Sequence, residues 1–443
     1  MFGAHKTKRR RFIVLVAIIA VELFLIGTAL LARPVLQQVP GRYASRLPSF
    51  LQQLALPEHD KRLPTPIVVV TMAPPTMIGE VQTGTSNISV PTATAIAQPP
   101  TREVHETDEL VLTATTAPQA TPSAVPTVDT VEPIAAVASI SGVPHIYQLW
   151  NNCGPANLTM VMNYHGWSGS QVDAAARLKP NPEDKNVSPE EMAAFVNENG
   201  LKAYMRRGGD LSLIKRLVHA GFPVLVEKGF DPEPERLGWM GHYLVITGYD
   251  DLSQEFTTMD SYLGPGMKET YANLDYYWRH FNRTYIVVSR SEDEKEIVEL
   301  LGTDADLVVN SWNTLQRAIE EVNALPEDPF AWLNLGSAYL ALDFIEDAAS
   351  SYDQARLLNP PWRITWYRFG VFEAYLEVGR FQEVKVLALD TIEATTDVEE
   401  VYYYLGLARR EEGDIVGAKE ALGIAEDLNP YFMPATIALA TLQ

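Results

Sequence analysis

Val143-Pro-His-Ile-Tyr-Gln-Leu-Trp-Asn-Asn-Cys153-Gly-Pro-Ala-Asn-Leu-Thr-Met-Val-Met-Asn-Tyr164 is the stretch on which the reading of this chain turns. It holds Cys153, the single cysteine among 443 residues. A lone thiol makes neither an internal disulfide nor a multi-cysteine metal site. Two uses remain, a buried small hydrophobe or a nucleophile. The flanks favour the nucleophile. Gly154-Pro155 opens a helix with proline early, where its missing N–H costs nothing. Leu158, Val161, Met162 and His165 follow at helical spacing, and Gly166 ends the run. Cys153 is therefore expected at a helix N-terminus, where the positive end of the dipole stabilises a thiolate.

A nucleophile needs a base, a group that orients the base, and oxyanion donors. Of eight histidines only His242 begins a convincing strand, Gly241-His-Tyr-Leu-Val-Ile-Thr-Gly-Tyr249. Asp250 to Ser253 read as a turn and Gln254 to Asp260 as the returning strand. With the hairpin centred on Asp251, positions summing to 502 face each other, which pairs His242 with Asp260. Such cross-strand neighbours have Cβ atoms about 5 Å apart, the geometry for a carboxylate that fixes an imidazole tautomer. A one-residue slip would send Asp260 to the other face. Gln148, five residues before Cys153, offers a side-chain amide as partner to the Cys153 backbone N–H in an oxyanion hole.

Gln148-x4-Cys153-Gly-Pro-Ala-Asn-Leu, then Gly241-His242-Tyr-Leu-Val-Ile-Thr-Gly-Tyr-Asp, then Met259-Asp260, resemble the peptidase C39-like domain. This is a papain-like cysteine peptidase family related to the leader-peptide proteases fused to bacteriocin exporters. The resemblance spans roughly Ser141 to Ser289. It implies an α+β papain-like fold, a peptide or protein substrate, and no cofactor or metal. By residue-wise transfer Cys153 corresponds to the nucleophile, His242 to the general base, Asp260 to the orienting residue and Gln148 to the oxyanion donor.

Other segments fit that layout. Ser188-Pro-Glu-Glu191 is a capping box with proline at the first helical position, and its helix runs through Met192, Phe195 and Val196 to Gly200. Leu211 to Ala220 is a second helix, and Pro223 to Glu227 and Tyr285 to Ser289 are strands. The loop Arg236-Leu-Gly-Trp239-Met-Gly241 precedes His242 and is read as a substrate wall, with a core role for Trp239 as the alternative.

Upstream, Phe12 to Ala32 is apolar apart from Glu22, Gly27 and Thr28, and 21 residues suffice for a bilayer core of about 30 Å. Lys6, Lys8, Arg9, Arg10 and Arg11 precede it, so the positive-inside rule keeps the N-terminus cytoplasmic and the remainder extracytoplasmic. Between Leu63 and Ser139 lie 11 Pro and 15 Thr in 77 residues, without Phe, Tyr or Trp. That composition cannot offset the entropy of ordering, so it is expected to be a disordered stalk. As a coil it would span roughly 50 Å, as polyproline II up to ~240 Å.

The C-terminal part repeats. Leu340 to Ala348, Leu376 to Val384 and Arg410 to Ala418 recur at 36 and 34 residues, flanked by Trp332, Leu335, Gly336, Tyr339, Tyr352 and, in the third copy, Tyr402, Leu405, Gly406 and Ala425. This resembles tetratricopeptide (TPR) repeats over about Pro329 to Pro430, which implies an all-α solenoid and a protein partner. The middle copy departs from the pattern at Phe372 and Val384. Trp312 to Val322 and Met433 to Leu442 are read as capping helices. From Ser291 onward 29 acidic face 10 basic residues, most of the chain's net charge of −21. That excess disfavours nucleic acid, and it reads either as an attractor for basic segments or as a solvated exterior.

The expected organisation is thus multidomain. It comprises a cytoplasmic stub and transmembrane helix (1–33), a stalk (34–139), a peptidase C39-like domain (140–290), a connecting helical segment (291–328) and TPR repeats with a capping helix (329–443). The expected function is that of a membrane-anchored extracytoplasmic cysteine peptidase whose TPR repeats recruit partner or substrate. The alternative is a non-catalytic peptide-binding scaffold of the same architecture.

Overall fold

A computed structural model describes residues 61–68, 75, 134–231 and 238–442. The chain divides into two units, residues 1–77 with 134–443 and residues 78–133, and every described residue belongs to the first. The expected membrane span, the stub before it, most of the stalk, and Arg236 and Leu237 lie outside the described residues. Among the described residues no helix is long and apolar enough to cross a membrane.

A sheet-containing domain comes first and a helical region follows. The sheet domain runs β1 (Val137–Ser139), α1 (Cys153–Tyr164), α2 (Gln171–Leu178), α3 (Pro189–Glu198), β2 (Lys202–Arg206), α4 (Leu211–His219), β3 (Val224–Phe230), β4 (Met240–Asp250), β5 (Glu255–Asp260), β6 (Gly264–Thr270), α5 (Tyr271–Trp278) and β7 (Tyr285–Ser289). α6 (Glu294–Leu301) and α7 (Leu307–Ala324) lead into α8 (Pro329–Leu340), α9 (Ile345–Leu357), α10 (Gly370–Glu377), α11 (Phe381–Ala394), α12 (Glu399–Glu411), α13 (Ile415–Leu428) and α14 (Met433–Ala440).

The sheet has the order β2-β7-β3-β4-β5-β6, all pairs antiparallel, with β1 added alongside β4. Alternation sorts its side chains onto two cores. Val224, Val226, Leu244, Ile246, Tyr285 and Val287 pack with α4 and α5. Leu225, Tyr243, Val245, Ile286 and Val288 pack with α1, α2 and α3. Local chemistry sets the helix starts as the sequence indicated. Ser188 accepts from Glu191 N while Glu191 reaches back to Ser188 N, with Pro189 at the first turn. The same device at Ser170 and Asp173 begins α2, a helix the sequence reading did not anticipate.

The helical region has its own core, built from α7 to α13. Within two of its helix pairs a glycine marks the crossing. A Cβ on Gly336 would come within 2.9 Å of the Tyr352 ring, and one on Gly406 within 2.6 Å of Leu422. In the middle pair Phe372 is fully buried and stacks on Tyr404 at 5.5 Å.

Both regions pack into one body. Arg279 forms ion pairs with Glu321 (3.2 Å) and Asp328 (2.6 Å), and the His280 ring stacks on Phe330 at 3.7 Å. Farther along the contact, Asp184 and Glu191 of the sheet domain meet Glu399 and Glu400 of α12, with Lys179 as the adjacent cation. Asn186 donates to Glu400 (3.1 Å) and Asn429 to Glu399 (2.6 Å). Burial, then mutual repulsion, raises Asp184 and Glu400 well above the usual carboxylate range, and burial raises Glu399 to about 7.

An acid whose pKa is raised by folding stabilises the fold fully below its unfolded pKa and loses that contribution as pH rises through the folded one. For Glu399 the window runs from its ordinary 4.5 to about 7. Glu399→Gln, which keeps an acceptor for Asn429, is therefore expected to raise the melting temperature by a few degrees at pH 8 and far less at pH 5. Equal shifts at both pH values would refute the assignment.

Candidate active site

α1 begins at Cys153, its N-cap residue Asn152 makes no side-chain cap hydrogen bond, and the Gly154 backbone N–H of the first turn hydrogen-bonds the sulfur. The sulfur is half-buried and hydrogen-bonds the His242 imidazole. His242 stands near the start of β4, only 4 % exposed, and its Nε2 lies 3.1 Å from Asp260 Oδ2. That contact leaves Nδ1 for the sulfur. The other Asp260 oxygen, Oδ1, accepts from the backbone N–H groups of Tyr262 (2.7 Å) and Leu263 (2.8 Å), which lock the carboxylate. The Phe230 ring stacks on the imidazole at 4.6 Å.

The hairpin reaches this arrangement in a register other than the expected one. Near the turn Asp250 pairs with Glu255 and Tyr249 with Phe256, so the turn lies at 251–254 and is not centred on Asp251. A bulge between Ile246 and Gly248 then shifts the pairing to Ile246 with Thr258 and Val245 with Met259. Continued one step, that register sets Asp260 opposite Leu244, two residues from His242 on the same face. His242 and Asp260 are diagonal neighbours, and long side chains span that separation. Without the bulge Asp260 would fall opposite Val245 and point away from His242.

Gln148 is fixed by two residues that the sequence reading missed. Its backbone N–H donates to Ser261 O (2.9 Å), and its side-chain Oε1 accepts from Ser261 Oγ (2.8 Å). Ser261 Oγ in turn accepts from Asn157 Nδ2 (2.8 Å), which also donates to Cys153 O (2.9 Å) and Tyr243 O (2.7 Å). Holding the amide by its oxygen leaves Nε2 as its outward donor. The signals were present: Asn157 lies one helical turn beyond Cys153, and Ser261 follows Asp260.

Electrostatics set the protonation states. Burial pushes the Cys153 thiol up, but the hydrogen bond and charge of His242, with backbone N–H donors, outweigh it and leave the pKa below the ordinary value. Burial pushes His242 down, but the Asp260 carboxylate and the Cys153 sulfur lift it to about 10. Burial pushes Asp260 up, but His242 and the backbone N–H groups of Leu263 and Tyr262 together hold it below its usual range. All three shifts favour a thiolate–imidazolium pair.

The cleft at the sulfur is lined by Asn151, Gly154, Lys185, Asn186, Val187, Glu227, Gly241, Tyr243 and Tyr367. Tyr367 comes from the helical region, so the cleft is composite. A Cβ on Gly241 would come within 3.0 Å of the Tyr367 ring and 2.9 Å of Phe281, which explains glycine beside His242. Glu227, raised to about 8 by burial and by Glu190, enters the cleft as an uncharged carboxyl at neutral pH. Trp239 is not a wall of this cleft, contrary to the expectation. Its ring stacks on Phe281 (5.7 Å) and packs on Phe330 and Tyr367, its Nε1 donates to His280 (3.0 Å), and its carbonyl accepts from Arg363 (3.2 Å). It pegs the sheet domain to the helical region.

Residues 140–291 match the family described as Peptidase_C39 like, so about a third of the chain is a peptidase C39-like domain. Two solved structures are similar. One is a C39-like peptidase from Bacillus anthracis, 16% identical, covering 35% of this chain and 98% of that one, with a TM-score of 0.29. The other is a double glycine motif protease from an AMS/PCAT transporter in complex with the leader peptide, 16% identical, covering 35% and 99%, with a TM-score of 0.27. No curated protein matches the chain.

A thiol of ordinary pKa is only ~0.3% thiolate at pH 6. With its lowered pKa, Cys153 should be alkylated at pH 6 faster than free cysteine. His242→Ala should restore the steep ordinary profile. A wild-type rate equal to that of free cysteine and unchanged in His242→Ala would refute the ion pair.

Proposed function

We propose that the chain is a cysteine peptidase, and the observation that carries this reading is the relay from Cys153 through His242 to Asp260. The thiolate attacks the carbonyl carbon of a peptide bond. The developing oxyanion is met by Gln148 Nε2 and the Cys153 backbone N–H. The imidazolium gives its proton to the leaving amine, and His242 then takes a proton from the water that cleaves the thioester. Asp260 holds the ring throughout by accepting a hydrogen bond from Nε2, and it stabilises the positive charge whenever the imidazole is protonated.

In this reading the helical region is a TPR array. Gly336 against Tyr352 and Gly406 against Leu422 support it, since both members of the second pair lie 70 residues after those of the first. The Phe12–Ala32 run anchors the chain in a membrane, with the folded unit outside. That topology predicts that a reporter active only in the cytoplasm stays silent when fused after Gln443, and an active one would overturn it.

Labelling the intact chain with a thiol-directed peptidase probe, together with turnover of a peptide library, tests the chemistry. Cys153→Ala should abolish turnover, and His242→Ala should cost nearly as much, since the two act as a unit. Asp260→Asn should keep the fold and lose rate through a misoriented imidazole. Gln148→Ala should cost on the order of 10²-fold in kcat. Peptides captured but never cleaved by wild-type protein, with binding unchanged in Cys153→Ala, would make the domain a binding module instead.

A further inference from the structure

Lys61–Val68 lies inside the expected stalk, yet its side chains and backbone are held by helices about 300 residues away. Lys61 Nζ donates to Asp390 O (2.9 Å), pairs with the Asp390 carboxylate (3.4 Å) and sits over the Trp362 ring at 5.5 Å. Leu63 packs against the helical core and Pro66 is buried. The remaining contacts are to the main chain. The Pro64 carbonyl accepts from the Arg356 guanidinium, the Val68 N–H donates to Glu383 Oε1 (3.2 Å), and the Val68 carbonyl accepts from Arg380 Nη2 (2.8 Å). Downstream, the Pro75 carbonyl accepts from Asn323 Nδ2 (3.2 Å).

The groups that receive this segment are built into the array. Arg356 pairs with Glu383 (2.9 Å) and donates to Tyr375 Oη (3.1 Å), Tyr375 Oη donates to Asp353 (2.7 Å), and Arg380 pairs with Asp353 (2.8 Å). The Arg356, Glu383 and Asp353 side chains are at most 3 % exposed. Buried charges so arranged are costly unless every lone pair and N–H is used, and the segment's backbone uses some of them. The segment forms neither helix nor strand and carries two prolines, so its backbone carbonyls and N–H groups stay available to side chains.

We propose that α9, α11 and the turn at Trp362 form a peptide-binding surface whose resident ligand is the chain's own Lys61–Val68, held in cis as a clasp. Specificity comes from a lysine at one end, an apolar side chain and a buried proline in the middle, and two captured carbonyls. Being covalently joined to the helices that hold it, the segment binds intramolecularly at a raised effective concentration. A partner peptide of the same chemistry must exceed that level to enter, so the surface favours the self-segment over recruitment of weak ligands. Nothing in this depends on the peptidase reading.

The test uses the full chain with a site-specific protease sequence inserted between residues 100 and 101 and an affinity tag at the N-terminus. After complete cleavage the tagged fragment is expected to retain the C-terminal fragment. Leu63→Asp with Pro66→Asp, both in the segment and outside the helical core, should lower retention at least tenfold while the uncut variant keeps its melting transition. Synthetic Lys61–Val68 peptide at 10 mM should release the wild-type fragment. Separation of the wild-type halves on cleavage, retention equal in the double variant, or indifference to the peptide would each overturn the clasp.

Discussion

The bulge in β4 is the constraint on which the site rests. β4 is the longest strand and pairs with β1, β3 and β5. It carries His242 near one end and anchors the turn to β5 at the other. A regular antiparallel ladder from that turn would place Asp260 on the face opposite His242, because side chains alternate strictly. One extra residue at Thr247 restores the face, and the relay from sulfur to carboxylate becomes possible. On its other side β1 pairs with Gly248, where a Cβ would come within 3.0 Å of the Ala138 carbonyl. The bulge thereby re-aims Asp260 toward His242, a use of bulges that recurs beside active sites.

Much of the site was legible because its chemistry is local. A cysteine beside Gly-Pro at a helix start, a histidine opening a strand and an aspartate closing the next each announce themselves within a few residues. The alignment of His242 with Asp260 was reached in sequence by an assumed register off by two, and the error was harmless only because two residues return a strand to the same face. Asn157 and Ser261 escaped notice because a buried amide and a hydroxyl carry no periodicity. The shared Asn157 amide is nonetheless what joins α1, β4 and the Gln148 segment into one frame.

The contacts between regions were not legible at all. Tyr367 lines the cleft from 214 positions beyond Cys153, and Trp239 serves as a peg between regions although its surroundings read as a substrate loop. The segment at Lys61–Val68 has the composition of a solvated stalk, yet Leu63 packs against the helical core and Pro66 is buried. In each case the stabilising partners lie far away in sequence, so only the tertiary structure pairs them. Composition alone cannot distinguish a coil in water from a coil whose backbone is satisfied by another domain's side chains.

These contacts change what the helical region does in the architecture. An appended recruitment module would share only a linker with its peptidase domain. Here the two share a stack of rings, Trp239, Phe281, Phe330 and Tyr367, that ends against Gly241, the neighbour of His242. Tyr367, the last ring of that stack, also lines the cleft at the sulfur. The clasp grips the same region from its other partners, α9 and α11, through charges that are themselves buried. Because Tyr367 lines the cleft, the helical region is as much a wall of the site as a platform beside it.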